Sequence, residues 1–485
     1  MKEQIKNLIK HSGIYGAGVV LSRSIGFFLI PLYTRFLSPA DYGVLELLDL
    51  TVSLTMLFTS MGVFAAVFRF YAIYESPEEK KEVISTALIY NAAVALLMAL
   101  VMNLIASPVA SAVLGNSSYA PLIRIVAFTL FFSNIGEVPQ AYWRAQGRTV
   151  LFVTVGLVRA ILTACLLVFA VAILKKGVEG IVVANLVASA VSGLTLSGIV
   201  LYSVRIRIVK AKLIAMLRYG VPLIAESLAA FVLVYSDRFF LRKFASLSEV
   251  GIYSLGYKLG GIVSILVAIP FGQSWSWQQF ELAKREDAKA LFAKVETYLL
   301  MAGLCVALAV SVFAPDLIRI ISPTEYWRAA SIVPWISLSY LLGIISYMTS
   351  TGIYIQKETT RIAAIAIFTA VANLVLNFLL ISRYGITGAA IATALSYALH
   401  LFLMFIAAQR IYPIPFEYLR NARLVGFAGA ICLLGTQINL GLAGSVAAHF
   451  LLLVLFVAVC YAVLSQGELK AIREWALKAA QQFQR

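Results

Sequence analysis

Inside stretches otherwise apolar enough to lie in a membrane, the chain carries the cations Arg23, Arg69, Arg159, Arg238 and Lys258 and the anions Glu46, Asp49, Glu137, Glu226 and Asp237. A charge at membrane depth is costly, so each of these needs an opposite partner or a wet cavity. One reading is a set of structural ion pairs between neighbouring helices. The other is a cationic cavity for an anionic headgroup, with Arg23, Arg69, Arg159 and Lys258 as its candidate residues. A second constellation is built of oxygens. Asn373 and Asn377 are four apart and share a helix face; with Asp237 and Thr393 they make a hard-oxygen set suited to a small cation such as Na+. The competing reading is interhelical hydrogen bonding, worth about 0.6–2 kcal/mol per bond in a membrane. His11, His400 and His449 are isolated, without ligand spacing, and no catalytic role is expected of them.

These residues must be positioned by transmembrane helices. The chain has 485 residues, 61% hydrophobic and 13% charged, with a mean hydropathy of +0.91. A soluble domain carries about 25% charged residues, so this chain cannot cover a water-facing surface. Ile89–Ala106, Tyr298–Ala314 and Phe450–Leu464 are apolar runs without a charge. They do not alternate as membrane-barrel strands do, which leaves helices to satisfy the backbone in lipid. Windowed hydropathy predicts about 14 spans, from roughly 10–36 to roughly 443–465. The polar, basic start Met1–Lys10 reads as the entry to a retained first span, not a cleaved signal peptide. Cys165, Cys305, Cys432 and Cys460 lie scattered in apolar stretches and read as small buried hydrophobes.

With the N-terminus inside, about 25 of the 39 basic residues fall at inner ends, against about 9 at outer ends. Both termini are therefore expected in the cytoplasm. The net charge of +16 is a topology signal rather than a sign of a nucleic-acid partner. Trp275, Trp277, Tyr326 and Trp327 lie at span ends and read as interfacial anchors. Pro31, Pro139, Pro222, Pro270 and Pro334 fall within spans, and the basic stretch Arg205–Arg218 reads as an amphipathic linker on anionic lipid.

The chain repeats itself. Ser38-Pro39-Ala40-Asp41-Tyr42-Gly43-Val44 returns as Ser246-Leu247-Ser248-Glu249-Val250-Gly251-Ile252, and Gly177-Val178-Glu179-Gly180 returns at the same offset as Gly385-Ile386-Thr387-Gly388. Gln146-Gly147-Arg148-Thr149 echoes Gln356-Lys357-Glu358-Thr359. Six spans per repeat is an even number, so the expected fold is all-α, with two six-helix lobes related by a pseudo-two-fold axis along the membrane normal. The expected organisation is an N-lobe over 1–204, a linker over 205–212, a C-lobe over 213–412 and a two-helix appendage over 413–485. In that frame Glu46 and Asp49 on span two and Lys258 on span eight lie at similar depth on opposite lobes. A Glu46/Asp49–Lys258 pair would then close an outer gate.

Tyr33-Thr34-Arg35-Phe36-Leu37-Ser38-Pro39-Ala40-Asp41-Tyr42-Gly43 closely resembles the first outer turn of O-antigen flippases. Asp237-Arg238-Phe239-Phe240-Leu241 and Gly256-Tyr257-Lys258-Leu259 resemble their spans seven and eight. The whole chain resembles the polysaccharide-transporter branch of the superfamily that also holds multidrug extruders and lipid II flippases. The resemblance implies transport of a polyprenyl-pyrophosphate-linked glycan across a bacterial or archaeal inner membrane, by a monomer rocking around a central cavity. A pyrophosphate suits the Arg fork. Lipid II flippases place basic residues on spans one and eight, where Arg23 and Lys258 match, and hold Na+ in a set like Asp237, Asn373, Asn377 and Thr393. This chain departs from them in the acids Glu46 and Asp49 on span two. The resemblance further implies membrane lipid, a polysaccharide polymerase and chain-length machinery as partners, and Na+ or H+ as coupling ion.

Two other classes compete. A multidrug or organic-cation antiporter would favour the acids Glu46, Asp49 and Glu226; binding of a pyrophosphate lipid rather than a lipophilic cation separates the two. A membrane glycosyltransferase or polymerase would need polar catalytic groups in sizeable outer loops, and these loops are short. No Gly-x-x-x-x-Gly-Lys-[Ser/Thr] loop is present, so ATP hydrolysis by that route is excluded. The expectation is a transporter, not an enzyme.

Overall fold

The computed structural model describes residues 25–204, 206–438, 440–464 and 466–468, so Arg23 and His11 lie outside the described residues. The first half consists of α1 (Ile25–Phe36), α2 (Pro39–Ser60), α3 (Val63–Ile73), α4 (Pro77–Leu104), α5 (Ala106–Leu114), α6 (Ala120–Ala145), α7 (Thr149–Ile173) and α8 (Gly177–Val204). The second consists of α9 (Lys210–Phe244), α10 (Leu247–Leu282), α11 (Ala288–Ile321), α12 (Thr324–Ile355) and α13 (Thr359–Ile411), with α14 (Tyr418–Gln437) and α15 (Leu442–Val463) behind it. No strand occurs among the described residues. Among the described residues, eleven helices are long and apolar enough to cross a membrane. The expected count of about 14 differs because α1 is short, α14 is not among the eleven, and α13, expected as two spans, counts once although Gly385 breaks its helical backbone.

The sequence repeat is a repeat of backbone geometry. Ser38 caps α2, its hydroxyl accepting from Asp41 N at 3.2 Å, and Ser246 caps α10 the same way from Glu249 N at 3.2 Å. Each cap satisfies an orphan donor of the first turn. Gly177 and Gly385 both turn the chain in the left-handed region, at φ 54° and 55°. Only glycine enters that region without strain, so the two turns keep it.

The halves meet at two levels. Near the Ser38/Ser246 end, α2 lies against α10 and one hydrophobic core includes Tyr42, Leu47, Val250, Tyr253 and Ile332 from both halves. Hydrogen bonds reinforce it: Thr34 Oγ1 donates to Ile321 O at 2.8 Å, Tyr326 OH to Leu37 O at 3.1 Å, and Arg242 Nε to Leu114 O at 2.8 Å. At the other end the backbones of Met61–Gly62 and Gly220 touch, and Arg69 lies 4.6 Å from the Tyr219 ring centre. The linker is stitched to α4. Arg207 N donates to Ser85 Oγ at 2.8 Å and Val209 N to Thr86 Oγ1 at 3.1 Å, while Arg207 and Lys212 both pair with Glu82.

Two sequence expectations are corrected here. Trp275 and Tyr326 are buried, with Trp275 Nε1 donating to Thr351 at 2.9 Å, so neither is an interfacial anchor. His449 is not isolated: its ring sits 2.7 Å from Asp316 Oδ2 on α11 and 3.1 Å from Gly435 O on α14, and both side chains are buried. Acceptors on both ring nitrogens require two protons shared by ring and carboxylate, which makes the pair formally neutral. Asp316→Asn removes the charge but keeps a partner for the ring. It is expected to cost about 1–2 kcal/mol, read as a lower thermal unfolding midpoint in detergent.

Candidate functional site: the contact between the two halves

α2 and α10 come together at two glycines related by the repeat. A Cβ on Gly43 would overlap Leu247 O, and one on Gly251 would overlap Pro39 O. This close approach lets side chains on the next turns reach across. Lys258 donates to the Glu46 carboxylate and to Tyr42 OH, the latter at 2.9 Å. Tyr42 is itself held between Tyr33 and Tyr326, with ring centres 6.0 and 6.2 Å away. The Lys258 side chain is nevertheless 40% exposed, whereas that of Glu46 is 11% exposed. Asp49, one turn along from Glu46, is exposed and lies in the field of Glu46 and Lys258. The pairing across the halves is thus Lys258–Glu46, with Tyr42 as a partner that sequence reasoning missed.

The second-half oxygens form two adjoining networks. Asp237 Oδ1 accepts from Arg238 Nη1 at 2.7 Å and from Arg238 N at 2.9 Å; Oδ2 accepts from Tyr253 OH at 2.5 Å and lies 3.4 Å from Thr393 Oγ1. The Arg238 guanidinium stacks 3.8 Å from the Tyr257 ring centre. An arginine therefore stands electrostatically where an inorganic cation would otherwise neutralise Asp237. Next to it, Ser236 donates to Asn373 Oδ1, Asn377 Nδ2 donates to Ser236 Oγ and Asn373 Oδ1, and Asn373 Nδ2 donates to Ser396, each at 3.0 Å.

The remaining headgroup candidates do not join Lys258. Arg69 follows Glu46 by 23 residues along α2–α3, about 35 Å at helical rise. Arg159, on α7, acts on Glu137 of α6. Among the described residues of that set, Lys258 faces the α2–α10 contact, while Arg69 lies at the other end of the contact between the halves, against Tyr219.

A family model described as "Polysaccharide biosynthesis protein" matches residues 8–275. The chain belongs to that family. Among its curated relatives are the "probable low-salt glycan biosynthesis flippase Agl15" of Haloferax volcanii, 20% identical over 208 residues, covering 42% of this chain and 44% of the relative, and the "succinoglycan biosynthesis transport protein ExoT" of Rhizobium meliloti, 22% identical over 291 residues, covering 56% and 55%. The chain spans about half the length of each. Among solved structures it resembles "Lipid II flippase MurJ, inward closed conformation", at a TM-score of 0.76 and 13% identity over 92% of this chain and 98% of that one. It also resembles an inward-facing multidrug resistance MATE transporter of the MOP superfamily, at a TM-score of 0.65 and 15% identity over 81% and 95%.

Family and fold agree. This member of the polysaccharide biosynthesis family is a multi-pass helical membrane protein with the fold of MOP-superfamily transporters. Its relatives are named as flippases and transport proteins, as the expectation of a transporter rather than an enzyme required.

Proposed function

We propose that this chain is a flippase that carries a polyprenyl-pyrophosphate-linked oligosaccharide from the cytoplasmic to the outer leaflet by rocking its halves, with both termini in the cytoplasm of a bacterial or archaeal cell. The observation that carries this reading is Lys258. It bonds across the halves to Glu46 and Tyr42, yet remains 40% exposed to the space beside their contact. A phosphate entering that space competes with Glu46 for the ammonium. Binding of the headgroup thereby loosens the contact that keeps the outer end shut, which links substrate to conformation.

The test is reconstitution in vesicles with a fluorescent polyprenyl-pyrophosphate oligosaccharide, following its accessibility to a membrane-impermeant quencher. Protein-dependent exposure of the label in the second leaflet is expected. Binding of a lipophilic cation with no flipping of the glycan lipid would favour a drug antiporter instead. An engineered Glu46→Cys, Lys258→Cys pair is expected to cross-link under mild oxidation and to stop transport until reduced.

An ion gradient is the proposed energy source, with Na+ or H+ acting at Asp237, Asn373, Asn377 and Thr393. In this reading the ion displaces Arg238 from Asp237. Asp237→Asn is then expected to lower sodium- or pH-driven flipping at least about tenfold; full gradient-driven transport by that variant would remove the idea.

A further inference from the structure

The first half contains a polar cluster that the flippase reading leaves unused. α2, α3, α4 and α6 line a cavity of about 210 Å³ whose lining includes Ser60, Asn91, Asn134 and Glu137. Asn91 and Asn134 are 2% and 0% exposed. Asn91 Nδ2 donates to the Asn134 carbonyl oxygen at 2.7 Å. Asn134 Nδ2 donates at 2.6 Å to Thr59 Oγ1, whose own proton goes to Met56 O at 3.2 Å. Flipping Asn91 would set its oxygen against a backbone carbonyl, which has no proton to give. Both Oδ1 atoms lie buried without a donor in this structure, which is costly in an apolar interior. Glu137, on the same wall, has no hydrogen bond or ion pair among the described residues; Arg159 and Arg144 act on it only through their field.

We propose that this cavity binds a sodium-sized monovalent cation through Asn91 Oδ1, Asn134 Oδ1 and the Glu137 carboxylate. Amide and carboxylate oxygens are hard donors, and the set holds no sulfur or imidazole that would select a transition metal. A single carboxylate balances a single positive charge. The fields of Arg159 and Arg144 oppose a bound cation, which argues against a divalent ion and for reversible occupancy. The site lies in the opposite half from Asp237 and is independent of it.

The experiment measures radioactive sodium binding to the purified full-length protein at constant ionic strength, in the Asp237→Asn background, with and without Glu137→Gln. Saturable binding that weakens about tenfold or more in Glu137→Gln is expected. Asn134→Asp, which adds a carboxylate to the same wall, should tighten it. Unchanged binding in Glu137→Gln overturns the proposal. So does protection of the protein by acid but not by sodium, which would mean a proton on Glu137, or the absence of saturable binding, which would mean a cavity holding water only. None of these readouts requires a glycan lipid, so a failure here is distinct from failure of the flippase reading.

Discussion

Replacing Gly43 by valine is expected to abolish transport and to leave the α2–α10 contact open. The atom that a Cβ would meet is the Leu247 carbonyl oxygen, part of a helix backbone, and Gly251 makes the reciprocal approach to the Pro39 carbonyl oxygen. A flexible side chain could swing aside from a new methyl group; a helix cannot, short of moving the whole of α10. Overpacking costs about 1–3 kcal/mol where neighbours can relax, and a penalty of about 3 kcal/mol on the closed state alone shifts the open-to-closed ratio about a hundredfold. The measurement is labelling of a single cysteine placed beside the α2–α10 contact by a membrane-impermeant reagent, together with glycan-lipid flipping. Gly251→Val should behave alike because it strikes the same contact from the other side. Labelling and flipping at unaltered rates in both variants would show that the two helices do not need this approach.

The second large effect is expected at the ion pair, where two substitutions separate gate from substrate site. Glu46→Gln weakens the contact across the halves and frees Lys258, whereas Lys258→Met weakens the same contact and removes the cation. Breaking one side of a fully buried pair costs about 3–5 kcal/mol; with the Lys258 side chain 40% exposed, about 1–3 kcal/mol is the expected loss of closed-state stability. Both variants should raise labelling beside the α2–α10 contact. Their effects on binding should have opposite signs, tighter for the pyrophosphate lipid in Glu46→Gln and about tenfold or more weaker in Lys258→Met. Binding that falls equally in both would leave Lys258 a latch with no role toward the headgroup.

The features legible in the chain are those that depend on local pattern. Span positions follow from runs of apolar residues, because the bilayer must be crossed by helices that satisfy their own backbone. The paired caps at Ser38 and Ser246 and the paired left-handed glycines at 177 and 385 were visible as repeated words, because a cap and a left-handed turn are each specified within a few residues. What was misjudged is what depends on azimuth. Asp49 and Glu46 lie one turn apart, and depth alone could not say which of them reaches Lys258; the crossing at Gly43 and Gly251 directs Glu46 to it. His449 read as isolated because its partner Asp316 is 133 residues away on another helix. Trp275 read as an anchor because it lies near a span end, while α10 turns it inward against Thr351.

The same division explains the functional residues. The chemical types were readable in advance: a few charges and amides that an apolar environment tolerates only with partners. Their grouping was not. The tertiary structure separates Arg69 and Arg159 from Lys258, gives Asp237 to Arg238 and Tyr253, and brings Asn91 and Asn134, each with a buried oxygen lacking a donor, to the lining of one cavity. Sequence by itself determined a repeated helical membrane transporter, because burial in lipid and local backbone geometry act residue by residue. Only the packing of the halves decided which charges meet, because an electrostatic pair depends on distances between helices that no local pattern encodes.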